Sequence, residues 1–271
     1  DEVHDLAASE RGWQLSIGLS RLEALSGNKL QRIGLSATVG NPDQVAKWLS
    51  KDGLAIIETG KRVTKISVET AFPSPIDETG AIEHAVPSRA HAIFREIVEI
   101  ITKDAPCLLF VNSRSDAETI ANRLQKMAPK LKIGIHHDSL ATETRVEMEN
   151  DLRSGEISGL VCTSSLELGI DIGLINRIIQ IKSPRSVDRL LQRVGRADHR
   201  LGGIGRGTIF AWDCDEIIEA AVIAERSLRG ELEPVVWRDA PSSVVVNQLI
   251  LMAHSFKAVP IDEATEIISN T

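Results

Sequence analysis

The sequence predicts an α/β fold built on a parallel sheet, and three observations carry that prediction. Apolar runs of four to six residues alternate with helix-length amphipathic stretches, the rhythm of βαβ units. The runs are apolar almost without interruption, which suits strands covered on both faces. Helix-capping and glycine stop signals punctuate the stretches between them.

Taken in order, residues 32–35 (RIGL) and 55–58 (AIIE) read as strands, with a helix from Asp43 to about Leu49 after Asn41-Pro42. Residues 73–90 hold three prolines and mixed charge, and read as a linker. Clear strands follow at 107–111, 160–162, 178–181 and 208–211, with 132–136 a weaker fifth. Ser115 and Glu118 stand at the spacing of a capping box, opening a helix with Ile120, Leu124 and Met127 on one face. A second helix runs from about Thr144 to Leu152 and stops at Ser154-Gly155, where glycine takes a left-handed cap. A third runs from about Glu216 to Leu228 and ends at Gly230; helical patterns resume at 244–253 and at Asp262.

At 271 residues, 42% hydrophobic and 25% charged, the composition is that of a globular protein of one or two domains. Nothing approaches the ~18–20 apolar residues of a membrane span, so no membrane partner is expected. Cys107, Cys162 and Cys214 fit neither a CxxC site nor a disulfide framework; Cys107 and Cys162 sit inside apolar runs, so buried free thiols in a reducing cytoplasm are the expected state. The net charge of −7 excludes a uniformly basic nucleic-acid binder, yet seven Lys or Arg stand against two Asp between Lys182 and Arg206. That local excess fits a polyanion site or a solvated helix face.

Five short segments carry chemistry. The first is Asp1-Glu2-Val3-His4, an acid able to hold Mg²⁺ beside one able to polarise a water. Ser36-Ala37-Thr38 follows the first strand pattern. Asn112-Ser113-Arg114 is delivered to the carboxyl end of a buried strand, where open parallel sheets bind ligands. Thr163 and Ser164 follow another strand and precede a short helix, a place that favours anions; Gly169 and Asp171 come next. Last is Gln192-Arg193-Val194-Gly195-Arg196-Ala197-Asp198-His199-Arg200, whose arginines at 193, 196 and 200 would share one helix face. An arginine reaching a γ-phosphate stabilises charge that develops in phosphoryl transfer.

In this order the five segments resemble motifs II to VI of superfamily 2 DExH helicases. "TSSLELGIDIG" (163–173), "IIQIKSPRSVDRLLQRVGRADHR" (178–200) and "DEIIEAAVIAERSLRGELE" (215–233) are similar to the large helicase-related (Lhr) family of archaea and bacteria. The resemblance implies ATP and Mg²⁺ as cofactors and single-stranded DNA or RNA, held by its backbone, as partner. It implies Asp1 as the Mg²⁺ residue and Glu2 as the water activator, with Gln192 placing that water. Arg196 would be the arginine finger. His4, Ser36, Thr38 and Arg193 would couple hydrolysis to domain movement, Arg193 at the domain interface. Gly169 and Asp171 would face the nucleotide, and Asn112, Ser113, Arg114, His136, Thr163 and Ser164 would meet nucleic acid. Asp198 stands where the family pattern has glycine, leaving His199 and Arg200 both open as the second phosphate contact; Arg200 is preferred because histidine is mostly neutral at pH 7.

The expected organisation is a partial first RecA-like domain over 1–70, a linker over 71–91, a complete second RecA-like domain over 92–233 and the start of a winged-helix module over 234–271. Two such lobes would hold one triphosphate. No G-x-x-x-x-G-K-[ST] loop occurs anywhere in the sequence. The expectation is therefore a helicase fragment, moving 3′→5′ in its intact form, inactive alone and lacking part of its first domain. The alternative is a non-catalytic nucleic-acid-binding or docking module.

Overall fold

The computed structural model describes residues 1–36, 39–50, 55–57, 63–167, 172–197, 203–236 and 241–269. They form two units: Gly60–Glu231, and Asp1–Thr59 together with Leu232–Thr271.

The Gly60–Glu231 unit is built on six strands, β1 (Thr64–Glu69), β2 (Cys107–Phe110), β3 (Ile133–His136), β4 (Gly159–Cys162), β5 (Arg177–Ile181) and β6 (Gly205–Phe210), in the order β1-β6-β5-β2-β4-β3. Every pairing is parallel, as the sequence predicts. Its helices are α4 (Pro75–Glu83), α5 (Ser88–Asp104), α6 (Arg114–Met127), α7 (Thr142–Arg153), α8 (Val187–Val194) and α9 (Cys214–Arg229).

Strand alternation splits the core into two layers. Cys107, Leu109, Val161 and Ile179 pack with Ile93, Ile97 and Leu124 of α5 and α6. Leu108, Phe110, Leu160, Cys162 and Ile178 face the opposite way, onto Leu152, Ile157 and Leu166. Burial of both faces explains why these strands read as continuous apolar runs. It also pushes the Cys107 thiol up to about 12 and the Cys162 thiol higher still. All three cysteines are free, Cys214 being exposed.

The other unit contains α1 (Val3–Ala7), α2 (Glu10–Ser26), α3 (Pro42–Leu49), α10 (Ser242–Phe256) and α11 (Ile261–Ser269). Val3, Ala7 and Val45 make one small core, with Trp48 and Val235 against it. Met252, Ala264 and Ile267 make another. Asn41 joins the early and late parts of the sequence, donating to the Val235 carbonyl at 3.0 Å and accepting from its amide at 2.8 Å.

Several sequence expectations need correction. Residues 32–35 and 55–57 form no ladder among the described residues, and Glu58 lies outside them. Apolar tetrapeptides have strand character but need a hydrogen-bonding neighbour to become strands. The supposed linker contains α4, whose capping box joins Ser74 and Asp77. The cap of α6 is Ser113, which accepts from the Asp116 amide at 3.1 Å; Ser115 meets only the Ser113 hydroxyl.

Candidate functional site

In the unit made of Asp1–Thr59 and Leu232–Thr271 the chain brings two of the chosen segments together. The Val3 amide donates to the Leu35 carbonyl at 3.1 Å. One residue further on, His4 Nδ1 and Ser36 Oγ lie 2.9 Å apart, with His4 buried. Gly34 permits this approach, since a Cβ there would stand 2.7 Å from Leu49 Cδ2 and 3.2 Å from Val3 Cγ1. Asp1 is exposed, and its Oδ1 accepts from the Glu2 amide at 2.9 Å. Glu2 occupies the left-handed region at φ 51°, a costly conformation for a side-chain-bearing residue and one that gathers at functional positions. Its Oε2 is buried without a hydrogen-bond partner among the described residues.

In the Gly60–Glu231 unit the strand ends β5, β2, β4 and β3 stand side by side, so the loops that leave them share one edge of the sheet. Asn112 follows β2 and donates to the Ser183 carbonyl beyond β5 at 2.9 Å, tying two of those loops. Ser113 uses its oxygen as the α6 cap, and Arg114 beside it is exposed. Thr163 is buried, its amide donating to the His136 carbonyl at 3.3 Å; Ser164 is exposed. Lys182 and Arg185 belong to the basic segment noted in the sequence but were given no role of their own. Both take positive φ, 65° and 72°, in the loop after β5. Lys182 Nζ lies 3.6 Å from Asp116 and Arg185 Nη1 2.8 Å from Glu219.

His136, expected at the nucleic acid, is instead 1% exposed with both ring nitrogens engaged. Nδ1 lies 2.8 Å from Ser165 Oγ and Nε2 3.0 Å from Glu149 Oε1. It ties β3 to the turn after β4. The signal that could have shown this is its place inside a strand with one face wholly in the core.

Arg193 and Arg196 do not share a helix face. Helix α8 ends at Val194, and Ala197 bridges Ile175. Arg193, expected at a domain interface, lies inside its own unit at 2% exposure. Its Nε donates to Glu167 Oε1 at 2.8 Å, Nη2 reaches the same oxygen, and Nη1 donates to Gln180 Oε1. The guanidinium carbon stands 5.1 Å from the Phe110 ring centre, so ring and counter-charge together offset its desolvation. Arg196 is half-buried and donates from Nε and Nη2 to the Glu167 carbonyl at 3.1 and 2.7 Å. It thus stands beside the turn that follows Thr163. Gln192 lies on α8, half-buried. Thr38, Gly169, Asp171 and Arg200 lie outside the described residues, as do Asp198 and His199. Glu167 and Gln180 were missed because their role is visible only once Arg193 is known to be buried.

Among the described residues no group of three His, Cys, Asp or Glu could hold a metal by itself, and no helix is long and apolar enough to cross a membrane.

The helicase conserved C-terminal domain family matches residues 91–202. The chain is 36% identical, over 99% of its length, to the ATP-dependent helicase Lhr-Core protein 2 of Thermococcus barophilus, of which it covers 31%. It is 32% identical, over 93% of its length, to the Lhr helicase/probable uracil glycosylase of Mycolicibacterium smegmatis, covering 19% of that protein. Among solved structures, Mycobacterium smegmatis helicase Lhr bound to ssDNA and AMP-PNP matches the whole chain at 33% identity and a TM-score of 0.88, over 35% of its own length. The DUF1998 helicase MrfA bound to DNA shares the fold, with a TM-score of 0.75 at 20% identity over 98% of this chain and 39% of that one. The chain spans between about a fifth and a third of the length of these curated relatives.

Proposed function

The chain belongs to the Lhr helicases, to which it is homologous along its whole length, and from that premise we propose that it supplies the water-activating and arginine-finger residues of an ATP-driven translocase. The phosphate-binding loop, which these 271 residues do not carry, comes from elsewhere in the longer helicase. Translocation is 3′→5′ along a single strand gripped by its backbone.

The observation that carries this reading is the joining of the DEVH and Ser-Ala-Thr segments. Their residue types were chosen from sequence separately, thirty-two positions apart, and His4 meets Ser36 at 2.9 Å. Such a link lets a change at the acids reach the chain after Leu35, which is what coupling hydrolysis to movement requires. Thr38 shares that role.

Asp1 is the residue for Mg²⁺. Its exposed carboxylate supplies one hard oxygen, and Mg²⁺ on a nucleotide is held by one or two carboxylates with phosphates and waters, so the donor fits. The ion, when bound, neutralises charge on the phosphates. Glu2, whose Oε2 lies 3.5 Å from His4 Nδ1, accepts the proton of the attacking water, and Gln192 helps to orient that water. Arg196 meets the γ-phosphate. Gly169 and Asp171 face the nucleotide, and Arg200 supplies the second phosphate contact. Asn112, Ser113, Arg114, Thr163 and Ser164 line the path of the strand.

Two measurements test this. The 271-residue chain, purified by itself, is expected to show no ATP hydrolysis stimulated by single-stranded DNA or RNA. In the full-length helicase, Arg196→Ala is expected to lower the stimulated rate by ~10³-fold or more, about 4 kcal/mol of barrier. Glu2→Gln is expected to abolish it. A stimulated rate in the isolated chain that vanishes in Glu2→Gln would refute the first part. A normal rate in Arg196→Ala would refute the second.

A further inference from the structure

We propose that Glu167 is the positioning residue of the arginine finger: its side chain is anchored by Arg193, and its main chain in turn seats Arg196. The inference rests on the reading of Arg196 given above.

The geometry is a relay through one residue. Glu167 is 7% exposed and follows the 3-10 turn Ser164–Leu166, its amide donating to the Ser164 carbonyl at 3.0 Å. Its Oε1 receives Arg193 through Nε at 2.8 Å and through Nη2. Its carbonyl receives Arg196 through Nε at 3.1 Å and Nη2 at 2.7 Å. Arg193 cannot shift to follow it, because Gln180 on β5 holds Nη1 and Phe110 on β2 lies under the guanidinium. The position of Arg196 is thereby referred to two central strands through an ion pair to which Arg196 does not belong.

Charge makes the anchor specific to a carboxylate. Glu167 is the sole carboxylate paired with Arg193 among the described residues. A glutamine there could accept one hydrogen bond, but would leave a guanidinium uncompensated in the interior, where an unpartnered charge is costly. The turn and its carbonyl would shift to relieve that cost. A displacement of about 1 Å at a residue outside the chemistry is enough for a loss of ~10² in rate.

The experiment uses the full-length helicase with four variants: Arg196→Ala, Glu167→Gln, the two combined, and Glu167→Gln with Arg193→Met. Stimulated ATP hydrolysis, KM for ATP and thermal unfolding are measured for each. Glu167→Gln is expected to lower kcat by ~10²-fold with KM changed by less than about threefold. In the Arg196→Ala background it is expected to remove nothing further, because residues acting as a unit are not additive. The Glu167→Gln/Arg193→Met variant removes the buried charge with its partner, so it is expected to unfold like the parent while kcat stays low.

A normal rate in Arg196→Ala overturns the finger reading and this inference with it. A crippled Arg196→Ala overturns the inference alone if Glu167→Gln keeps a normal kcat, if the combined losses multiply, or if the neutral pair restores the rate.

Discussion

Asp77 is fully buried, yet four groups converge on it. Arg95 Nε and His91 Nδ1 each lie 3.0 Å from Oδ1, while the Ser74 amide and hydroxyl reach Oδ2. The Arg95 guanidinium, more than any other neighbour, holds this carboxyl far below the usual carboxylate range. A folded-state value below the unfolded one of ~3.9 means that the stabilisation is present above that pH and is lost as pH falls through and below it. Asp77→Asn is accordingly expected to cost about 1–3 kcal/mol at pH 7, with the gap to the parent chain beginning to close below about pH 5 and still narrowing as pH falls through the folded-state value. Thermal unfolding across that range measures it; a gap constant with pH would show that the contribution is not ionic. The same scale shows what sequence could reveal of the site. Residue types at strand ends were legible: Asn112, Arg114 and Thr163 stand where the parallel-sheet rule places them. Burial was not. Spacing cast Arg193 beside Arg196 on one face, whereas one is a core residue and the other lies past the helix end.

Elements were legible in proportion to how completely the fold covers them. The four clear strands, 0% exposed at Leu108, Leu160, Ile178 and Ile209, carry the signal in nearly every residue. Strand β1, Thr-Lys-Ile-Ser-Val-Glu, was invisible because it is a half-exposed edge strand paired only with β6. The segment at 32–35 misled in the opposite sense, with Ile33 76% exposed and apolar residues lacking a ladder. Helix α6 was placed correctly but its start was not, because serines at 113 and 115 both satisfy capping rules and only the turn geometry chooses between them. That choice is measurable. Ser113→Ala is expected to destabilise the Gly60–Glu231 unit by about 1 kcal/mol, while Ser115→Ala stays within about 0.5 kcal/mol of the parent. Equal losses, or a larger loss at Ser115, would return the cap to the position that the sequence suggested.

At the scale of the whole molecule, net charge and local charge oppose each other. The chain carries −7, which repels a polyanion at long range, while Arg114 opens α6 just beyond β2, and Lys182 and Arg185 stand in the loop that leaves β5. Lys182 and Arg185 are tethered to Asp116 and Glu219, so both must exchange an internal carboxylate for a phosphate on binding. Among the described residues Arg114 has no carboxylate partner to exchange, which makes it the most available of the three. Affinity for a single strand should therefore be weak, tolerant of sequence and strongly dependent on salt. For about three phosphates neutralised, log K is expected to fall with log salt at a slope near −2. Arg114→Ala is expected to make that slope shallower by about 0.7 for every sequence alike. Fluorescence anisotropy with a labelled homopolymer and a mixed-sequence strand, titrated from about 20 to 200 mM salt, measures both quantities. A flat salt response would move the strand away from this edge of the sheet, and a slope unchanged in Arg114→Ala would move it away from the end of β2.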